Sequence, residues 1–220
     1  MNVRIIIVTL VSWLLLASCG NEYQVEGSSS VSRLDGKMLF VKVSNGKELI
    51  KVDSAEVIHG LFRMEGKIDS TVIASLYMDD QNIMPIVIEK GKIQIQIDNT
   101  LLVASGTPLN NKLYDFIARK NALEDRAYEV ERMESRMIMD GKPFAEVEQE
   151  IAKERANLSD EYDKMVKDFV QENYENVLGP AIFQMMSNGY ASRMTPLMEQ
   201  ILKEAPESFK NHAMVRSLVK

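Results

Sequence analysis

The hydrophobic pattern changes its period once, at residues 105–108, and this change constrains the fold more than any other feature of the chain. Before it, apolar and polar side chains alternate, most clearly over residues 92–98, as in strands with one buried face. After it, apolar side chains recur at helical spacing, beginning at Leu109. The sequence therefore predicts an α+β protein, with an antiparallel β-sandwich-like domain over residues 19–105 and an all-helical domain over residues 106–220.

Short turn signals separate the predicted strands at intervals typical of a meander or a sandwich. Asn45-Gly46 is the strongest hairpin signal, and His59-Gly60 and Lys90-Gly91 mark further turns. Because the connections are too short for crossover helices, we expect antiparallel pairing throughout. The predicted strands begin near Tyr23 and then cover residues 38–43, 48–52, 54–58, 61–64, 72–78, 86–89, 92–98 and 101–104.

Cap and stop signals set the predicted helix boundaries in the second half. Thr107-Pro108 is typical of a helix start. Residues 140–143 end this helix and turn the chain into an αα-hairpin, whose second helix is predicted to place Phe144 on its apolar side. The later signals predict a short helix over residues 181–187 between Gly179-Pro180 and Asn188-Gly189, a helix from Thr195-Pro196 to Glu204, and a helical segment over residues 207–219.

Residues 1–18 have the features of a bacterial lipoprotein signal peptide. Arg4 provides a basic start, residues 5–16 are apolar, and Leu16-Ala17-Ser18 precedes Cys19 as in a lipobox. The apolar run is shorter than the ~20 residues that a membrane-spanning helix needs. We therefore expect cleavage before Cys19 and lipid attachment at Cys19, which would hold the protein at a membrane of the cell envelope.

Surface charge provides little attraction to nucleic acid or to lipid. The full chain has a net charge of −6, with acidic and basic residues interspersed. Without a basic stripe we expect no nucleic-acid binding, and membrane attachment would depend on the lipid itself. Gly20-Asn21 lacks the acidic pair that favours inner-membrane retention, so we expect the outer membrane, with the protein facing the periplasm or the cell surface.

The residue inventory excludes most catalytic chemistry. Cys19 is the only cysteine, so a lipidated Cys19 leaves no thiol for a disulfide, a redox pair, a nucleophile or a thiolate metal site. A histidine zinc site or a catalytic triad would depend on His59 and His212 alone. We expect no catalytic residue, no cofactor and no metal ion. A hydrolase acting through carboxylates ranks last among the possible functions, because no acidic cluster converges in the sequence.

Fourteen methionines are many for a chain of this length. Flexible thioether side chains fill irregular helical cores, and they also line adaptable binding surfaces. Copper binding by thioethers is a further but weaker interpretation. The sequence leaves open whether the following residues form a partner-docking surface or close the helical core: Met185, Met186, Met194, Met198 and Phe209.

Three stretches carry a resemblance to a known family: residues 53–66, residues 86–93 and residues 105–110. In this order, behind a lipobox, they resemble a domain of unknown function at the N-terminus of exported thiol–disulfide interchange lipoproteins. The resemblance covers about residues 22–118, and the helical part resembles the spacer that leads into a thioredoxin-like domain with a CxxC pair. This chain has no cysteine to receive that pair, so we expect a relative without the thioredoxin domain and without its redox activity.

Two functions follow as the main hypotheses. The first is an envelope-anchored lipoprotein that acts as a non-catalytic binding or scaffold module. The second is an accessory to thiol–disulfide exchange that presents a separate thioredoxin-like partner. The expected partners are a membrane, through the lipid anchor, and a thioredoxin-like or other envelope protein.

Overall fold

The computed structural model of the protein describes residues 21–46, 48–187 and 194–219, and within them strands precede helices. The change at residues 105–108 confirms the predicted α+β class. The strands are β1 (Glu22–Ser29), β2 (Met38–Ser44), β3 (Leu49–Glu56), β4 (Leu61–Lys67), β5 (Val72–Met78), β6 (Gln81–Ile88), β7 (Gly91–Ile97) and β8 (Leu102–Ser105). The helices are α1 (Pro108–Met139), α2 (Phe144–Glu172), α3 (Leu178–Ser187), α4 (Pro196–Glu204), α5 (Glu207–Lys210) and α6 (Ala213–Arg216), with one 3₁₀ turn at Ser32–Leu34.

The strands form two four-stranded sheets, in the orders β4-β1-β7-β8 and β3-β2-β5-β6. All pairings are antiparallel except that of β1 with β7, which is parallel and places Tyr23 opposite Gly91. The expectation of antiparallel pairing throughout is therefore wrong for this pair. Short connections determine the pairing only of consecutive strands, whereas five strands separate β1 from β7 along the chain.

Two predicted strand boundaries also differ from the structure. The predicted strands at residues 48–52 and 54–58 are one strand, β3, because Asp53 faces inward and accepts a hydrogen bond there. Strand β6 begins at Gln81, earlier than predicted, because Asp79 takes a φ of 54° and allows a two-residue turn.

The predicted turn at His59-Gly60 is confirmed and forms a corner between the two sheets. His59 and Gly60 both have positive φ, 52° and 74°, as a type I′ turn requires. Ile58 and Leu61 exchange backbone hydrogen bonds of 2.9 and 3.0 Å across it. Strand β3, before the turn, belongs to one sheet, and β4, after it, belongs to the other. His59 is therefore a turn residue.

Helices α1 and α2 form the predicted antiparallel hairpin, with its turn at residues 140–143. Helix α3 begins at Leu178, before Gly179-Pro180, because a proline in the first turn lacks only an N–H that has no helical partner. The predicted end of this helix at Asn188-Gly189 lies outside the described residues. Thr195 caps α4 as predicted, since its hydroxyl accepts from the Met198 N–H at 3.2 Å.

Residues 207–219 do not form one continuous helical segment as predicted. Two short helices, α5 and α6, replace it. His212 stands between them, and its Nδ1 accepts a hydrogen bond from the Met214 N–H at 3.4 Å. His212 thus occupies an N-cap position.

A single cluster of buried side chains runs through both sheets and into the helices. In the hairpin it includes Leu123 of α1 and Met165 of α2. Farther along, residues 124–157 hold only a small separate cluster, formed by Val130, Met137, Val147 and Ile151. We call residues 124–157 the arm. Within the described residues, no helix has the length and hydropathy that crossing a bilayer requires.

Candidate functional site

Hydrogen bonds join residues 86–93 to residues 105–110, two of the stretches that carry the family resemblance. They form where α1 meets the sheet that contains β6. Asn110 is fully buried. Its Oδ1 accepts from the Val87 N–H at 2.9 Å, and its Nδ2 donates to the Val87 carbonyl at 2.7 Å. The side-chain amide thus continues the hydrogen bonding of β6 onto the helix. Asn110 is a structural joint between the sheet and α1.

A buried carboxylate caps the start of α1. Glu89 Oε1 accepts from the backbone N–H groups of Leu109 and Asn110 at 2.8 and 3.0 Å. A negative charge at a helix N-terminus is stabilising because it opposes the helix dipole and satisfies free N–H groups. Thr107 holds the predicted N-cap position, but its side chain makes no cap bond and instead accepts from Asn110 Nδ2 at 2.9 Å. The side chain that caps α1 is therefore that of Glu89, which lies in the connection between β6 and β7.

The same contact closes the free edge of β6. Pro85 has no N–H, and its carbonyl accepts from the Tyr114 hydroxyl at 2.8 Å. Asn110 bonds both backbone groups of Val87. Edge strands that are covered in this way do not pair with other chains. Burial raises the pKa of Tyr114, so the hydroxyl keeps the proton it donates. These motif residues maintain the fold.

A second structural contact joins the two sheets. The Tyr23 hydroxyl donates to Asp53 Oδ2 at 2.7 Å. Burial first, and Asp53 second, raise the pKa of Tyr23. A Cβ at Gly66 would lie 2.9 Å from the Tyr23 ring, so any larger residue there would displace this ring. Asp53 and Gly66, which open and close the first family-like stretch, thus position Tyr23.

An open groove of about 690 Å³ lies on the outer face of the first sheet. Two ion pairs lie at this face, with Lys92 2.7 Å from Glu26 and Arg63 2.9 Å from Glu65. The groove offers hydrogen-bonding groups and the Glu56 carboxylate to a solute. Its lining includes Glu26, Ser28, Glu56, Ile58, Leu61, Arg63, Gln94, Gln96, Val103 and Ser105.

No metal site is formed in the described parts of the chain. There, no group of three or more His, Cys, Asp or Glu side chains is placed to hold an ion. His59 and His212, the two histidines of the chain, each have a structural place, one in a turn and one at a helix cap. Cys19, the predicted lipid attachment site, lies outside the described residues.

The methionine-rich residues do not form one exposed surface. Met198 and Phe209 are about 1% exposed and belong to the core, so their assignment to a docking surface is wrong. The Phe209 ring packs against Tyr174 and Phe183, with centroids 4.7 and 5.5 Å apart. Core packing is the correct alternative for these two residues. Met186 and Met194 are half-buried against the same core, and Met185 is exposed.

Exposed apolar side chains gather instead at the end of the arm. Ile138, Met139 and Phe144 are 54%, 77% and 74% exposed, and they flank the turn between α1 and α2. Phe144, predicted to lie on the apolar side of α2, is exposed because α1 ends at Met139 and offers no facing side chain there. We call these three residues the tip. Their apolar character at a hairpin turn, where polar residues are usual, was the available sequence signal.

The tip points away from the end of the sandwich where β1 begins. Strand β6 ends at that end, since β7 follows it after two residues and starts opposite β1. Asn110 lies at Val87 and Tyr114 lies at Pro85, so α1 runs back along β6. A helix of 32 residues is about 48 Å long. A strand of 8 residues is only about 26 Å long, so the arm extends beyond the sandwich.

Comparison with protein families finds a match in the first half of the chain. Residues 23–113 match the model of a domain of unknown function (DUF4369). This confirms the predicted resemblance to such a domain, whereas its association with thioredoxin-like domains stays a prediction. The match ends shortly after Asn110, so it includes the joint with α1 as well as the sandwich. No curated protein matches the chain. No solved structure matches it either.

Proposed function

We propose that this protein is a lipid-anchored, non-catalytic binding module of the cell envelope that presents the arm tip to a partner protein. The observation that carries the proposal is the tip itself, where Ile138, Met139 and Phe144 are exposed together. Clustered apolar side chains on a soluble surface mark interaction sites. Burying each of them would contribute roughly 1.5–3 kcal/mol, enough to form the centre of an interface.

The charge of the arm supports a protein partner. Residues 124–157 contain ten carboxylates and six basic side chains, an excess of four negative charges. Membrane surfaces are commonly anionic and would repel this arm. A protein pocket with an apolar floor and a basic rim would complement both features. The partner class is therefore a protein with such a pocket.

The anchor supports the same arrangement. Only two residues separate Cys19 from Glu22, where β1 begins. An extended chain spans at most ~3.6 Å per residue, so the three-residue step from Cys19 to Glu22 reaches at most about 11 Å. A lipid at Cys19 would hold this end of the sandwich at the membrane. The arm points the other way, so the tip would stand away from the bilayer.

Site-specific crosslinking tests the proposal. Phe144 is replaced by p-benzoylphenylalanine in the full-length protein in cells, and Tyr128 is the matched control because it is an exposed aromatic residue on the arm but not at the tip. We expect one adduct from position 144 that is absent from position 128. Met139→Ser in the same protein should abolish that adduct without lowering the melting temperature.

The identity and behaviour of the adduct distinguish the hypotheses. A partner whose crosslinking weakens with added salt would support charge complementarity with the acidic arm. A thioredoxin-like protein in the adduct would favour the alternative function, an accessory to thiol–disulfide exchange. Equal crosslinking from positions 144 and 128, or none from either, would contradict the role of the tip.

A further inference from the structure

Among the described residues, the end of the β2–β3 hairpin forms a ribbon that pairs with no other strand. Strand β2 pairs with β5 only from Leu39 to Lys42, whereas its pairing with β3 continues to Ser44 and Leu49. The register shifts between Val41 and Lys42, which leaves Val52 without a partner in β2. Such a bulge bends and twists a strand pair away from the sheet. We call residues 43–46 and 49–52 the ribbon.

The ribbon projects past the start of β1. The 2.7 Å bond from the Tyr23 hydroxyl to Asp53 sets β1 and β3 at the same level. Strand β3 runs in roughly the same direction as β1, since the turn at His59-Gly60 reverses the chain from β3 into β4 and β4 pairs antiparallel with β1. Leu49 precedes Asp53 by four residues, or about 13 Å of strand. The ribbon therefore extends about 10 Å beyond Glu22 on the side from which the chain enters.

The ribbon exposes apolar side chains at this end of the molecule. Leu49, Ile50 and Val52 are 50%, 48% and 42% exposed. Lys51 is exposed between them, and its ammonium lies 5.8 Å from the Phe40 ring centroid. Apolar side chains next to a long lysine are suited to a lipid interface, because the ammonium group reaches the headgroups while the others enter the apolar layer.

We infer that an anchor at Cys19 places the ribbon in the membrane interface, with Leu49 and Ile50 among the lipids. The inference rests on the lipid anchor of the proposed function. Two lengths support it, because the tether from Cys19 to Glu22 reaches at most about 11 Å and the ribbon projects about 10 Å. Because this tether is short, the ribbon lies at about the same depth in the membrane as the lipid attachment at Cys19. The occupant of the ribbon surface is the membrane.

Strand addition by another chain fits this edge less well. A bulge at Val52 interrupts the regular spacing of backbone groups that an added strand would need. Lys51 lies on the same edge. Bulges and exposed lysines are both found on edge strands that avoid pairing with other chains. The other sheet edge described above, that of β6, is closed by α1. The ribbon is thus apolar without being a template for pairing.

A tryptophan reporter tests the inference. Trp13, the only tryptophan, precedes Cys19, so the chain from Cys19 onward contains none. The variant Ile50→Trp of that chain is coupled through Cys19, its single thiol, to a maleimide lipid in vesicles. Lipids brominated on their acyl chains should reduce its emission by about half, because interfacial side chains enter about 5–10 Å into the boundary. Ile138→Trp, at the tip, is the matched control and should keep its emission.

Each other outcome overturns the inference. Equal emission of Ile50→Trp with brominated and ordinary lipids would show that the ribbon stays in water. A blue shift that grows with protein density on ordinary vesicles, without quenching, would identify a second copy as the occupant. Leu49→Trp repeats the test if Ile50→Trp does not fold. The chemical coupling provides the anchor, so a failure here is independent of lipidation in cells and of crosslinking at the tip.

Discussion

Replacing Asn110 with leucine should destabilise the protein strongly, because the side chain bonds both backbone groups of an edge strand inside the core. Asn110→Leu keeps the volume and the burial but leaves the Val87 N–H and carbonyl without partners. A buried backbone group left unpaired costs roughly 1–3 kcal/mol, so the two together cost about 4 kcal/mol. Thr107 also loses the hydrogen bond that it accepts from Asn110 Nδ2.

Urea unfolding of the chain from Gly20 onward measures this loss. With a slope of about 2 kcal/mol per molar, the midpoint should fall by about 2 M. Asn111→Leu is the matched control on the next position of α1. Asn111 is exposed and accepts one hydrogen bond, from the Gly106 N–H at 3.0 Å, so its replacement should cost about 1 kcal/mol or less. Equal midpoints for the two variants would refute the reasoning that Asn110 joins β6 to α1.

Three further predictions follow from burial and packing. Met198→Glu should destabilise by several kcal/mol because it buries an unpaired charge, whereas Met185→Glu should leave the melting temperature almost unchanged; equal effects would contradict their assigned positions. Gly66→Ala should cost about 1–3 kcal/mol in urea unfolding by crowding the Tyr23 ring, and an unchanged midpoint would contradict that contact. Stability should fall as the pH rises above about 10, because burial raises the pKa of Tyr114. Above that pH the unfolded chain releases a proton that the folded chain keeps. In a pH series of unfolding midpoints, Tyr114→Phe should reduce this fall.

Local patterns predicted the features that neighbouring residues determine. The change of period at residues 105–108, the turn at His59-Gly60 and the cap at Thr195 each depend on a few consecutive residues, and each is confirmed. The parallel pairing of β1 with β7 was not predictable in this way. Alternation shows that a segment is a strand, but it does not show which other strand lies beside it.

Features that depend on distant contacts were missed for the same reason. Glu89 caps a helix that begins 19 residues later, so no local cap signal identifies it. Met198 and Phe144 are both apolar residues on helices, yet one is buried and the other exposed. The difference is whether another element lies opposite, and helical spacing alone does not contain that information.

Both proposals depend on the anchor at Cys19, so the mass of the membrane-bound protein is the most direct test. We predict that intact-mass analysis of the membrane fraction gives a chain that begins at Cys19 and carries acyl groups. Cys19→Ser should move the protein to the soluble fraction. Membrane-bound protein with an unmodified Cys19 would contradict the account.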